Sequence, residues 1–169
     1  MKKPIYFYVL LVLSSISAIF SAYGVFFSKA TAKFPETDNA QLAQYYKETE
    51  VFLSKMNSLN HGILSMVVVV LSLLLLAGTW YFLLKRDIPK ASYLYLGDLI
   101  LGFLFSLYSF VFTRGLIASV YTSDFSRSSA SFGLVVGLAT AIVFFLIFAG
   151  VIVFKLFRYQ NVQEEAAEI

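Results

Sequence analysis

Residues 91–113 read ASYLYLGDLILGFLFSLYSFVFT. At about 1.5 Å per residue, this stretch is long enough to cross a bilayer core of roughly 30 Å as a single helix. Its Asp98 is the one charged side chain inside any of the chain's four apolar segments. A carboxylate in hydrocarbon costs on the order of 3 kcal/mol on insertion scales, so Asp98 is expected to turn away from lipid towards neighbouring helices. Working outward from it, the expected fold class is an all-α integral membrane protein: a four-transmembrane-helix antiparallel bundle with an extracellular amphipathic helix between helices 1 and 2.

The composition agrees. Of 169 residues, 59% are hydrophobic and 14% charged, against about 25% charged in soluble domains. The 18 Phe and 11 Tyr suit lipid-facing packing and interfacial anchoring. A formal charge of +3, dispersed along the chain, is no nucleic-acid footprint. The absence of cysteine excludes disulfides, thiol nucleophiles and thiolate metal sites. No phosphate-cradling glycine loop, metal cluster or nucleophile–base pair is visible, so neither cofactor nor enzymatic chemistry is expected.

Four spans and one polar excursion follow along a single membrane domain, residues 1–169. The first span, 5–27, follows Lys2, Lys3 and Pro4. It is too long for the roughly 7–15-residue apolar core of a signal peptide, which predicts an uncleaved anchor. Residues 28–61 are polar, with Thr37 or Asp38 a candidate helix cap. There Leu42, Tyr45, Tyr46, Thr49, Phe52, Leu53, Met56 and Leu59 recur every three or four residues, one apolar helical face expected to pack on the mouth of the bundle. The small and polar run 57–62 predicts a break before the second span, 63–84. The turn 85–90, KRDIPK, is so short that the second and third spans must be antiparallel neighbours. The third span is 91–113 and a loop covers 114–130, with residues 116–121 able to prolong the helix. The fourth span is 132–154 and the tail 155–169.

Lys2, Lys3, Lys85, Arg86, Lys90, Lys155 and Arg158 fall on one side, close to helix ends. Lys29, Lys33, Lys47, Lys55, Arg114 and Arg127 fall on the other, partly far along a loop. The positive-inside bias acts near helix ends, so both termini are expected in the cytoplasm of a plasma membrane. Small size and compact loops fit a bacterial one.

On the third span Asp98, Gly102, Ser106, Ser109 and Thr113 draw a polar, small-residue stripe at helical spacing. Asp98, Ser106 and Ser109 are the candidate intramembrane polar site, with Asp98 protonated or hydrogen-bonded to hydroxyls such as Ser14, Ser17 or Thr140. On the fourth span Gly133, Gly137 and Ala141 lie four apart, and Ser14 and Ala18 answer on the first. Small residues so spaced let helix backbones approach closely, and packing within the chain is the expectation. His61, the only histidine, is expected to be solvated at the outer mouth. Beyond the lipid bilayer, the expected partner is another membrane protein or a second copy of the chain. Two roles fit: a non-catalytic accessory or regulatory subunit of a larger transport complex, for example an ABC-type transporter, or of an envelope complex; or a small oligomeric proton- or cation-coupled transporter using Asp98.

Overall fold

The computed structural model describes residues 5–28 and 34–167, with side chains through Tyr159. The expectations placed on Lys2, Lys3, Pro4, Lys29 and Lys33 lie outside it. Among the described residues five helices follow one another: α1 (Ile5–Phe26), α2 (Ala40–Asn60), α3 (Ile63–Leu84), α4 (Ile88–Val120) and α5 (Asp124–Ala167). Helices α1, α3, α4 and α5 are each long and apolar enough to cross a membrane. This is a membrane-embedded chain.

The third and fourth apolar helices outrun the expected spans. Residues 114–120 continue α4, and α5 begins at Asp124 and runs on to Ala167. The 33 residues of α4 make a rod of roughly 50 Å, well beyond the hydrocarbon core. Its excess is held by capping. Arg127 donates through Nε to the Tyr121 carbonyl at 2.6 Å and through Nη2 to that of Ala118 at 3.4 Å. A cation there satisfies carbonyls that a helix end leaves open and complements the negative end of its dipole.

Each connection has its own chemistry. Residue 86 closes α3 in the left-handed region, at φ 62°. Asp87 N–H reaches back to the Phe82 carbonyl and Arg86 N–H to that of Leu83, a Schellman closure. Asp87 then caps α4 by accepting from Lys90 N–H, and its other oxygen pairs with Lys90 Nζ at 2.8 Å. The cap of α2 is Asn39, neither Thr37 nor Asp38. Its Oδ1 accepts from Gln41 and Leu42 N–H at 3.0 and 3.2 Å, while Thr37 takes the Asn39 N–H. The break between α2 and α3 narrows to His61 and Gly62. A Cβ at Gly62 would stand 3.0 Å from the Leu59 carbonyl oxygen, so this backbone approach needs glycine.

The apolar helices pack as a row of neighbours, α1 on α3, α3 on α4 and α4 on α5, each pair antiparallel. Tyr8 of α1 lies against Trp80 near the end of α3, and Val25 against His61 at its start. Phe103 stacks on Phe145 between α4 and α5, 4.6 Å apart. Helices α1 and α5 share no extended interface. They meet at one end, where Phe7, Leu11, Leu83, Tyr95 and Ile152 form a buried core and Lys155 lies 5.5 Å over the Tyr6 ring. This is the closed end.

Helix α2 lies at the opposite end, its apolar face against the protruding part of α4. Tyr121, 4% exposed, stacks with Tyr45 at 6.2 Å and meets Phe52 at 5.6 Å. Thr113 Oγ1 donates to Met56 Sδ at 3.6 Å. Glu48 Oε1 accepts from the Thr122 hydroxyl and backbone N–H, and Gln44 Nε2 donates to the same hydroxyl at 2.7 Å. That hydroxyl holds the Glu48 carboxyl below its ordinary value. Burial pushes the Tyr121 phenol up. The polar face of α2 thus clamps the α4–α5 turn while its apolar face covers the helix end.

Candidate functional site

Because α1 and α5 part above the closed end, a cleft of about 840 Å³ opens between them. Its floor is Asp98. That residue comes ten positions after Ile88, roughly 15 Å along α4, near mid-depth for a spanning helix. Asp98 is 8% exposed, and its Oδ1 accepts from the Ser72 hydroxyl of α3 at 2.5 Å. Burial of a carboxyl without a partner would be costly, so the hydroxyl on the facing helix is what makes this position tenable.

Below Asp98 the way is blocked. Tyr95, one turn towards the closed end, is fully buried and shares a 2.7 Å hydrogen bond with Ser14 of α1. Its ring meets Phe7 edge-on at 5.6 Å. Trp80 Nε1 donates to Ser15 Oγ at 3.0 Å, fastening α1 to α3 at the same level. Above Asp98 the lining changes character. Ser14, Ser17, Ala18, Ser21 and Gly24 face the cleft from α1, and Ser28 follows just beyond the helix end. Their three-to-four spacing is one face of a helix. Gly102 and Ser106 continue the polar side along α4, and Asn57 and Asn60 stand at the α2 end. The opposite wall is aromatic: Phe103 and Phe105 from α4, Phe144, Phe145 and Phe148 from α5.

The N-terminal part of the expected stripe is therefore brought together. Asp98, Gly102 and Ser106 line the cleft, and Ser106 returns its hydroxyl to the Gly102 carbonyl at 2.9 Å. Ser109 lies outside the lining, and Thr113 is buried against α2. The partner of Asp98 is a correction. It is Ser72; Ser14 is engaged by Tyr95, Ser17 lines the cleft, and Thr140 is exposed and bonds to its own helix at Val136. The available signal was Ser72 itself, a hydroxyl set between the apolar runs 66–71 and 73–77 of α3.

The small residues of α5 divide. Ala141 lines the cleft, opposite Ser14 and Ala18. Gly133 and Gly137 are exposed, and a Cβ at either would meet nothing within 4 Å. The close packing expected of them within the chain is not made, because the cleft separates α5 from α1. His61 is not solvated either. Its Nδ1 lies 2.6 Å from the Val25 carbonyl, which can only accept, so Nδ1 carries the proton. Its Nε2 is buried and unpartnered. This contact ties the C-terminal end of α1 to the α2–α3 junction. Among the described residues no three His, Cys, Asp or Glu side chains gather as a metal cluster.

A family model, described as "Domain of unknown function (DUF8777)", matches residues 1–165. The chain belongs to this family. No curated protein and no solved structure matches it. In this family member, then, the geometry itself is the guide: an acid at mid-depth, hydroxyls rising from it on one side, aromatic rings on the other, and a sealed floor.

Proposed function

We propose that this chain is a small proton- or cation-coupled membrane transporter in which Asp98 is the coupling group, working as an oligomer in a plasma membrane. One observation carries the reading: the only acid within an apolar span looks into a cleft that is sealed at one end and continues towards the other. Intramembrane acids that face such cavities serve ion and substrate pathways. The arrangement is one-sided, as alternating access requires of either end state. Lys85, Arg86, Lys90, Lys155 and Arg158 gather at the sealed end. By the positive-inside bias that end is cytoplasmic, with both termini, and α2 caps the outer face of an antiparallel four-helix membrane bundle.

The test uses the chain's lack of cysteine. Single cysteines at Ser17, Ser21 and Ser106 are expected to react with a membrane-impermeant maleimide added on the α2 side and to be protected on the other. Cysteines at Leu11 and Leu76 should be inert from both. Cleft cysteines that stay unreactive from either side would end the proposal.

The exposure of Gly133 and Gly137 favours a second reading, a non-catalytic accessory subunit of a larger transport or envelope complex. Small residues four apart on an uncovered apolar helix offer a seam to another helix. Affinity purification in mild detergent separates the two: a stoichiometric second membrane protein supports the subunit, and a homo-oligomer supports the transporter.

A further inference from the structure

We propose that the Asp98 cleft takes a lipophilic monocation: a single positive charge on a bulky aromatic or alkyl body. This rests on the reading of the cleft as a binding site and adds the chemistry of its occupant. Three features select that class. The volume, about 840 Å³, lies within the roughly 300–1,000 Å³ of small-molecule sites, so a bare ion would leave most of it unfilled. Among the described residues, Asp98 is the only ionisable one in the lining, and no lysine, arginine or histidine joins it. One unopposed carboxylate attracts one positive charge and repels anions.

The third feature is the wall facing the hydroxyls. Phe103 and Phe145 stack at 4.6 Å with their planes 16° apart, and Phe144 meets Phe148 edge-on at 5.9 Å. Aromatic faces attract organic cations and pack against apolar bodies. They offer nothing to a hard inorganic cation, which needs about six oxygen ligands. The gap between α1 and α5 supplies a way in for a molecule already dissolved among acyl chains. Charge, size and wall chemistry therefore agree on one class.

The experiment measures binding of tetraphenylphosphonium to the purified full-length chain in lipid nanodiscs, beside tetraphenylborate, a same-shaped anion. The cation is expected to bind saturably and at least tenfold more tightly than the anion. Asp98→Asn, which retains an oxygen for Ser72, should remove that preference. Gly102→Leu is the second variant: a Cβ there meets nothing within 4 Å and Gly102 lines the cleft, so the larger side chain is directed at the space the cation would occupy. It should abolish binding while Trp80 emission stays unchanged. Equal affinity for the two ions, non-saturable uptake, or unaltered binding in both variants would overturn the proposal. Should the cation fail to bind while the cleft cysteines still label from the α2 side, the ligand class falls and the site stands. Should the cysteines also fail to label, both fall.

Discussion

Truncating Leu11 to alanine probes what holds the closed end together. Leu11 is fully buried in the core that includes Phe7, Leu83, Tyr95 and Ile152. In water-soluble cores, Leu→Ala substitutions cost about 2.7–5.0 kcal/mol, which combines lost transfer from water with the cavity left behind. Three buried carbons at ~0.8 kcal/mol each make the transfer part about 2.4 kcal/mol. In a bilayer that part cancels, because a helix that comes loose leaves its leucine among acyl chains just as apolar. Only the packing part remains, about 0.3–2.6 kcal/mol. Ile19, 63% exposed on the same helix, has little packing to lose, so Ile19→Ala should stay within about 0.5 kcal/mol of the parent. Unfolding by SDS titration in mixed micelles measures both. Trp80, the only tryptophan, reports it directly, since its ring lies against Tyr8 and its Nε1 donates to Ser15. Equal costs for the two variants would show that the closed end is not packed. A loss above about 4 kcal/mol would show that transfer from water still contributes, and α1 would not be embedded in lipid.

Two further outcomes are expected. Gly62→Ala places a Cβ 3.0 Å from the Leu59 carbonyl oxygen and 3.3 Å from that of Ser58, both backbone atoms that cannot swing aside. It should destabilise the chain by about 1–3 kcal/mol in the same titration, whereas Gly24→Ala, with nothing within 4 Å, should not. Glu48 has its carboxyl lowered by the Thr122 hydroxyl, so the clamp it makes is complete above the ordinary value of 4.5 and is lost as pH falls through the lower, folded-state value. The spin-label distance between positions 47 and 123 should therefore broaden as the pH is lowered into the range below 4.5. In Glu48→Ala it should already be broad at neutral pH.

The inward turn of Asp98 was legible in the chain because an acid among apolar residues has few tolerable places in a membrane. Ser72 was not legible as its partner, since a hydroxyl in an apolar run declares a need for an acceptor without saying which helix supplies it. Tyr95 was hidden for a related reason: an aromatic three residues from an acid reads equally well as lipid-facing. The spacing of Gly133 and Gly137 pointed to close packing within the chain, which neither residue makes. What covers their helix face depends on the neighbour, and here the neighbour is missing because α1 and α5 diverge.

Hydropathy and helical period alone determined that four helices are long and apolar enough to span, that an amphipathic helix lies between the first two, and that α3 and α4 are joined by a tight turn. These are local properties, set by transfer energies and by the reach of a few residues of backbone. The tertiary structure decided that α1 and α5 stand apart, that Ser72 meets Asp98, that Asn39 caps α2, and that His61 ties α1 to the α2–α3 junction. Each of those depends on the relative rotation and offset of separate helices. In lipid, where burial of apolar surface barely discriminates one packing from another, that choice rests on hydrogen bonds and close fit between side chains far apart in sequence.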